Sequence, residues 1–182
     1  MRRPLIVGCF VLASLFLVVG CYQNSCVGDT EQQNMAIIRA AHTALERGDL
    51  EGFKALIAPD YVRHCQAMPP EFQELHGTEE FFKFIEEFIV AVPEYEDTLG
   101  PMMASGDMVA YVSTMKGVQT GPMGDLPPTG REFTLVNIII QRLENGKVAE
   151  TWVSWDNVAF LSQLGHFPPP AQVDPQDSRE SS

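Results

Sequence analysis

The stretch ENGKVAETWVSWDNVAFLSQLG, residues 144–165, decides the fold of this chain, because a turn, a strand and a helix follow one another directly. Asn145 and Gly146 both tolerate a positive φ and predict a tight hairpin turn. Residues 148–156 then alternate with period two and predict a strand, and residues 158–164 have the spacing of a short helix. One face of the predicted strand carries Val148, Glu150, Trp152, Ser154 and Asp156.

Asp156 stands at the junction of this strand and this helix, and two roles are open to it. If its face of the strand lines a cavity, apolar walls raise the pKa of the carboxyl group and suit it to proton transfer near neutral pH. Aspartate is also a favoured N-cap residue, so Asp156 alternatively caps the helix that follows.

The first part of the chain is predicted to be mainly helical. Thr30 and Gln33 have the spacing of a capping box, and the helix that they begin ends at Gly48. A second helix is predicted for residues 49–58, and residues 61–65 are predicted to be extended.

A third helix is predicted for residues 78–92, which end before a proline. Its apolar side chains recur at helical spacing and predict a face that packs in the core. These side chains are Phe81, Phe84, Ile85, Phe88, Ile89 and Val92.

After Pro93 the hydrophobic period changes from that of helices to that of strands. Strands are predicted for residues 95–103, 108–116 and 133–143, and residues 148–156 complete the set. Helices followed by a strand meander predict an α+β domain in which the helices pack in a curved antiparallel sheet. A sheet that curls around the helices leaves a cone whose open end is a pocket.

The N-terminus reads as an export signal. Arg2 and Arg3 precede an apolar run of residues 5–20, which is shorter than the roughly 20 residues of a secure membrane span. The run ends in Val-Val-Gly before Cys21, and residues 18–21 resemble the lipobox of bacterial lipoproteins, with Val19 where alanine or serine is commoner. The resemblance implies cleavage after Gly20 and lipid on Cys21, or otherwise an ordinary secretory signal cut elsewhere.

These signals divide the chain into four segments. Residues 1–20 are predicted as a lipoprotein signal peptide, residues 21–29 as a tether, residues 30–165 as the folded domain and residues 166–182 as a proline-rich disordered tail. The predicted location is therefore extracytoplasmic. The lipid on Cys21 would anchor the protein to the periplasmic or cell-surface side of a membrane.

The charge and the cysteine positions bear on which partners, disulfides and metals are expected. The formal net charge is -12 and no basic patch is visible, so nucleic acid is not expected as a partner. An oxidising compartment permits a disulfide between Cys26 and Cys65. The spacing of His64, Cys65 and His76 matches no structural zinc pattern, so no metal is predicted.

Three motifs resemble the SnoaL-like polyketide cyclases, a family of the NTF2-like superfamily of cone-shaped α+β folds. The first is GDLE with LIAPDYVRH, residues 48–51 and 56–64; the second is GPMGDLPPTGR, residues 121–131; the third is GKVAETW with WD and LSQLG, residues 146–152, 155–156 and 161–165. The resemblance covers nearly all of residues 30–165, and the two later motifs together indicate the ester-cyclase-like branch.

The resemblance implies a chemistry without metal or cofactor. Family members close a ring by an intramolecular aldol condensation, in which one aspartate acts as general acid and base. That aspartate matches Asp156, and two accompanying histidines match His64 and His76. Gln119 stands where the family often has a third histidine, and an amide cannot move a proton at neutral pH.

The candidate site therefore has two groups of residues. The catalytic candidates are Asp156, His64 and His76, although each histidine could equally lie satisfied near the surface. The ligand-binding candidates are Trp152, Gln119, Tyr111 and Glu150, for which core packing or exposure is the alternative. A substrate would be a small apolar carbonyl compound.

Three functions are open to such a domain. It could be a cofactor-independent cyclase, isomerase or lyase, or a lipid-anchored domain that binds an apolar small molecule without turnover. The third is an interaction module, since NTF2-like folds often form homodimers through the open face of the sheet.

Overall fold

The computed structural model describes residues 28–167, so the predicted signal peptide, Cys21, Cys26 and the tail from residue 168 lie outside the described residues. Four helices and six strands are present in this part, with a single 3-10 turn at Pro70–Phe72. None of the described helices is long and apolar enough to cross a membrane. The elements are α1 Asp29–Glu46, α2 Leu50–Ala55, β1 Ile57–His64, β2 Glu74–His76, α3 Gly77–Ala91, β3 Tyr95–Ser105, β4 Met108–Val118, β5 Glu132–Glu144, β6 Lys147–Ser154 and α4 Asn157–Leu164.

The six strands form one sheet in the order β2-β1-β6-β5-β4-β3. The predicted α+β class is confirmed. Consecutive strands from β3 to β6 pair antiparallel, as the meander predicts, but β1 and β6 run parallel. The expectation of a wholly antiparallel sheet is therefore wrong at this pair, because β1 reaches the sheet from the helical half of the chain and not through a hairpin.

The hairpin between β5 and β6 forms as predicted. Asn145 and Gly146 have φ values of 51° and 75°, which two-residue turns of this kind require. The ladder slips between Arg142 and Leu143, so that Ala149 has no partner on β5. Because this bulge reverses the alternation, Val148 is buried and does not share the face of Glu150 and Trp152, contrary to the sequence prediction.

The helix boundaries differ from the predictions in the first third of the chain. The capping box at Thr30 is wrong, since α1 begins at Asp29 after Gly28 without a side-chain cap. The second helix, α2, ends at Ala55, and Ile57 already pairs with Val148 of β6. Pairing in the sheet thus overrides a helical pattern, and the short strand β2 was not predicted.

The helices supply the aromatic core that the phenylalanine pattern predicts. Phe81 and Phe82 of α3 are buried, and the ring of Phe82 lies 5.5 Å from that of Phe53 in α2. Tyr61 of β1 packs against Phe81 with ring centroids 4.6 Å apart. The helices therefore cover one face of the sheet, called the inner face below, and leave the other, the outer face, uncovered within the described residues.

Candidate functional site

The inner face of the sheet is polar where a core would be apolar. On β5, Asn137 and Gln141 point inward and are buried or half-buried, while Val136 and Ile138 point outward and are 52% and 62% exposed. Buried polar groups cost free energy unless they are paired, so their presence here requires a reason. We call the inward polar side chains the inner polar row: Tyr61, Arg63, Asp97, Tyr111, Ser113, Asn137, Gln141 and Thr151.

Hydrogen bonds link most of this row across neighbouring strands. The hydroxyl of Tyr111 donates to Oε1 of Gln141 at 3.3 Å, and Nε2 of Gln141 donates to Oγ1 of Thr151 at 3.0 Å. Nδ2 of Asn137 donates to Oγ of Ser113 at 3.2 Å. The row is therefore a built network on β4, β5 and β6.

Two tyrosines of the row stay neutral over the physiological range. Burial raises the pKa of Tyr61 to about 12, although a hydrogen bond with Thr151 and the charge of Arg63 oppose the shift. Burial likewise raises the pKa of Tyr111, with smaller contributions from Tyr61 and Asp97. Both hydroxyls therefore keep their protons, and that of Tyr111 is donated to Oε1 of Gln141.

An imidazole and a carboxylate face each other at the β3 end of the row. Nε2 of His42, on α1, lies 3.3 Å from Oδ2 of Asp97, and Nδ1 of His42 lies 3.6 Å from Glu46. The interaction with Asp97 is the main cause that raises the pKa of His42, while burial opposes it and Glu46 adds to it. Oδ1 of Asp97 is buried and has no hydrogen-bond partner among residues 28–167.

An open hollow of about 810 Å³ lies close to this pair, although neither His42 nor Asp97 is among the residues that line it. Its wall includes Glu46, which contacts His42, and Tyr95, two residues before Asp97. Burial raises the pKa of Tyr95, and the charges of Asp97 and Glu46 raise it further. We call this space the end hollow; its apolar wall includes Leu45, Ile89, Pro93 and Phe133.

Asp156, the predicted catalytic acid, is exposed and caps α4. Its Oδ1 accepts a hydrogen bond of 2.9 Å from the backbone N–H of Ala159. Asp156 does not line the end hollow, nor a second open hollow of about 870 Å³ on the far side of α3 that His76 borders. The cap that the sequence left open is therefore present, and a catalytic role for Asp156 stays a prediction.

The predicted residues His64, His76, Glu150 and Trp152 lie on the outer face. Nε2 of His64 is 2.9 Å from Glu150, its Nδ1 is 3.2 Å from Glu74, and its ring stacks on Trp152 at 5.4 Å. The side chain of His76 is 64% exposed and its Nε2 lies 3.4 Å from the other oxygen of Glu74, while its backbone N–H donates to Glu80. Asp156 is four residues beyond Trp152, about 13 Å along an extended chain. The expected convergence of Asp156, His64 and His76 in one enclosed cavity is therefore not observed.

Glu150 is held as an ion and not as a neutral acid. Its hydrogen bond with His64, and a second with Nε of Arg142 at 3.1 Å, lower the pKa of its carboxyl group. The hydrogen bonds with Glu150 and Glu144 correspondingly raise the pKa of Arg142. This outer cluster is a partly exposed ion-pair network, in which each pair contributes little stability.

Gln119 is buried and holds the loop that precedes β5. Its side chain donates to the carbonyl of Pro127 at 3.2 Å and accepts from the hydroxyl of Thr129 at 3.0 Å. Nε2 of His166 lies 3.1 Å from Oε1 of Gln119, so the described chain continues in contact with the domain beyond its predicted end at residue 165. The contacts of Gln119 are those of a structural residue, and its predicted ligand contact stays a prediction.

Of the predicted ligand-binding residues, Tyr111 alone belongs to the inner polar row. His42 and Asp97 were not predicted, although one signal was visible for each. His42 interrupts the apolar side of α1 formed by Ile38, Ala41 and Leu45, and Asp97 is an acid in a predicted strand. Neither residue falls in a motif, and their proximity depends on how α1 packs on β3.

No group of three or more histidine, cysteine, aspartate or glutamate side chains within residues 28–167 is arranged to hold a metal ion. Cys65 is buried and is a free thiol within these residues. Its predicted partner Cys26 lies outside them, so the disulfide stays a prediction.

The structural neighbours share this fold. AclR from Streptomyces galilaeus is 25% identical over 76% of this chain and 99% of its own, with a TM-score of 0.66. IdmH from Streptomyces antibioticus is 31% identical over 73% of this chain and 99% of its own, with a TM-score of 0.61. A SnoaL-like protein from Jannaschia sp. CCS1 is 20% identical over 78% of this chain and 97% of its own, with a TM-score of 0.68, and supports the fold alone.

These likenesses confirm the NTF2-like cone, here a curved sheet that does not close on itself. No curated protein sequence matches this chain significantly. The family model described as SnoaL-like polyketide cyclase matches residues 35–164, which is most of the described chain. The chain therefore belongs to the SnoaL-like polyketide cyclase family.

Proposed function

We propose that the domain performs cofactor-independent acid/base chemistry, of the cyclase or isomerase type, on a small and largely apolar carbonyl compound. The compound enters through the end hollow and reaches the inner polar row. The observation that carries this proposal is the pair of His42 and Asp97 beside the end hollow, with Oδ1 of Asp97 buried and unpartnered within the described residues. Membership of the SnoaL-like family supports the reaction type.

The geometry assigns different tasks to the two members of the pair. Both ring nitrogens of His42 lie near carboxylates, those of Asp97 and Glu46, although Nε2 makes no hydrogen bond within the described residues, and the imidazole acts as a positioning residue. Oδ1 of Asp97 is the available base, and it takes a proton from the carbon next to the substrate carbonyl. The electron pair of that C–H bond moves onto the carbonyl oxygen as an enolate.

One neutral donor can serve the enolate oxygen once it exchanges its present hydrogen bond with Gln141 for one with the substrate. Tyr111 belongs to the same row and stays protonated, because burial raises the pKa of its hydroxyl group. A hydrogen bond from such a preorganised donor stabilises developing negative charge far better than water does. The enolate carbon then attacks a second carbonyl or recovers a proton, which gives cyclisation or isomerisation respectively.

Exchange of carbon-bound protons for deuterium tests this chemistry without knowledge of the natural substrate. A panel of aryl ketones and keto esters is incubated with the protein in deuterium oxide, and exchange next to the carbonyl is followed by NMR. We expect Asp97→Asn to slow the catalysed exchange by about 100- to 10,000-fold, the usual contribution of a general base. His42→Gln should slow it less, because the carboxylate remains.

Asp156→Asn is the matched control for the same assay. Asparagine caps a helix about as well as aspartate, so this variant keeps the fold and removes only the ionisable group. If the base is Asp97, exchange by Asp156→Asn is unchanged. Loss of exchange in Asp156→Asn with full activity in Asp97→Asn would contradict the proposal and assign the base to the family's aspartate.

A second function is favoured by the outer face. Met103, Val136 and Ile138 are 69%, 52% and 62% exposed, and Ile140 lies beside them. Apolar patches of this kind on a sheet mark interaction sites. We propose that two copies of the domain pair through this face, so that a non-catalytic interaction module is the alternative to an enzyme.

Light scattering after size-exclusion chromatography tests the homodimer. The wild type should elute with twice the mass of one chain, and Ile138→Lys should elute as a monomer with an unchanged circular dichroism spectrum. Val158→Lys is the matched control, because Val158 is an exposed apolar residue on α4 and not on a strand of the sheet. A monomeric wild type would contradict the proposal.

We also propose that Cys21 carries lipid and anchors the domain outside the cytoplasm. The support is the sequence of residues 1–21, which lie outside the described residues. Cys21→Ser should release the protein from membranes or block its processing, whereas Cys9→Ser, within the predicted signal, should do neither. Unchanged membrane retention of a processed Cys21→Ser chain would contradict the anchor.

A further inference from the structure

The inner polar row contains one cation for which the described residues supply no anion. Arg63 of β1 is only 6% exposed, and its Nη1 atom is buried without a hydrogen-bond partner among residues 28–167. Its guanidinium carbon lies 4.7 Å from the centre of the Phe84 ring on α3. The ring face supplies some electrostatic attraction, but it leaves the N–H donors without an acceptor.

The position of Arg63 relates it to the rest of the row. Arg63 pairs with Thr151 of β6, whose hydroxyl accepts from Gln141. Its charge acts on the hydroxyl of Tyr61, two residues earlier on the same face of β1. The guanidinium therefore stands at the β1 side of the network whose other side holds His42 and Asp97.

Arg142 shows that the missing anion beside Arg63 does not come from a shortage of acidic residues in the chain. Arg142 on the outer face has two carboxylates within 3.1 Å, those of Glu144 and Glu150. The chain carries 24 acidic residues, yet no ion pair joins Arg63 to a carboxylate within the described residues. A buried charge without a partner costs several kcal/mol, which selection removes unless the charge is used.

We propose that Arg63 binds the carboxylate of an otherwise apolar substrate, so that the substrate class is a small keto acid or an aromatic carboxylate with a reactive carbonyl. This inference rests on the proposed function in that both place the compound at the inner polar row. The planar fork of the guanidinium matches a carboxylate with two parallel hydrogen bonds. The acidic net charge of the chain disfavours anion binding at the surface, so a carboxylate would depend on a buried cation such as Arg63.

Ligand-dependent stability tests the inference with benzoate as the probe. Thermal unfolding of the full-length chain is measured with benzoate, with neutral benzamide and with phosphate, at matched ionic strength. Benzoate should raise the Tm by about 5–10 °C at about 100 times its Kd, and benzamide and phosphate should give little shift. An equal response to phosphate, or no response to benzoate, would overturn the proposal.

Two substitutions identify the residue responsible. Arg63→Met should lose the response to benzoate, with binding at least about tenfold weaker, while the ligand-free variant is no less stable than the wild type, because an unpaired buried charge is replaced by a packed apolar chain. Arg142→Met removes the same charge from the outer face and should keep the response. A benzoate response that survives in Arg63→Met, or strong destabilisation of that variant without ligand, would overturn the proposal.

The outcome is independent of the reaction assay. Benzoate has no proton next to its carbonyl carbon, so the unfolding experiment reports binding alone. A chain that binds benzoate through Arg63 but exchanges no protons would support the substrate class and contradict the acid/base chemistry. A chain that exchanges the protons of neutral ketones without any response to benzoate would do the reverse.

Discussion

The two faces of β5 differ in a way that reverses the usual rule for a half-buried strand. The inward side chains include Asn137 and Gln141, and the outward ones are Val136, Ile138 and Ile140. A strand with one solvated face normally buries its apolar residues and exposes its polar ones. The inward apolar residues of β5, which are Phe133, Leu135, Ile139 and Leu143, follow that rule, so the reversal is limited to the positions of Asn137 and Gln141.

The proposed ligand inside the cone and the proposed pairing of two copies would each account for one side of this reversal. Polar groups inside a cone are satisfied by one another or by a bound molecule, and apolar groups on an outer face are covered by another protein surface. Neither feature stabilises an isolated domain. The apolar core of this fold therefore has two parts, the aromatic clusters around Phe81 and around Phe160, which lie towards opposite ends of the strands.

The largest stability effect is expected from a change in the inner network. Gln141→Leu removes the acceptor of Tyr111 and the donor to Thr151, so we expect a loss of about 1–3 kcal/mol in the free energy of unfolding. Ile138→Gln on the neighbouring outward position should change it by less than about 0.5 kcal/mol in the monomer. Urea denaturation at low protein concentration measures both, and equal effects would remove the distinction between the faces.

A smaller effect is expected at the end of β6. Asp156→Ala should cost about 1 kcal/mol of unfolding free energy, since the N–H of Ala159 loses its acceptor. Asp156→Asn should cost almost nothing, because asparagine can make the same cap. Equal losses in the two variants would show that the charge of Asp156, and not the cap, stabilises the domain.

The ion pairs of the outer face should contribute less to the free energy of unfolding than the inner network or the cap of α4. In Glu150→Gln, the imidazole of His64 keeps Glu74 and the guanidinium of Arg142 keeps Glu144, so we expect a change below about 1 kcal/mol. The measurement is again urea denaturation, repeated at high salt, where the difference between variant and wild type should shrink. A loss of several kcal/mol would mean that the cluster is buried, for example in a dimer.

The smallest effect is a pH dependence of stability that belongs to His42. Asp97 raises the pKa of His42 in the folded chain, so the folded state binds more protons than the unfolded state between the two pKa values. The stabilisation that protonated His42 gives the folded state is fully present below the ordinary histidine pKa of about 6.5. It is lost as the pH rises through the raised pKa of the folded state. The wild type should therefore lose stability over that interval relative to His42→Gln, and parallel pH profiles would contradict the contact.

The sequence predicted the fold well, whereas the roles of its candidate site residues stay predictions, for physical reasons that particular residues show. The change of period near Pro93, the turn at Asn145 and the phenylalanine side of α3 are local signals, and the structure confirms each. The bulge at Ala149 is not local, because it depends on pairing with β5, and it put Glu150 and Trp152 on the face away from the cone.

The site is harder to predict because it is assembled from distant elements. His42 and Asp97 are 55 residues apart in the chain, and only the packing of α1 on β3 brings them to 3.3 Å. His64 follows the buried Arg63 directly, so the motif that suggested a catalytic histidine instead marked the strand whose inward neighbour is the unpaired cation. The motif residues His64, His76, Glu150 and Trp152 lie on the outer face of these strands, and their catalytic or binding roles stay predictions.

Whether a small molecule binds at the inner polar row or on the outer face is tested most directly by NMR of the four histidines in the chain. Selectively labelled protein, with signals assigned from single His→Gln variants, is titrated with benzoate and with an aryl ketone. Binding at the inner row predicts that the imidazole signals of His42 shift with saturation, while those of His64 and His76 do not. Saturable shifts of His64 and His76 with a stationary His42 would contradict it and return the site to the face that the family motifs indicated.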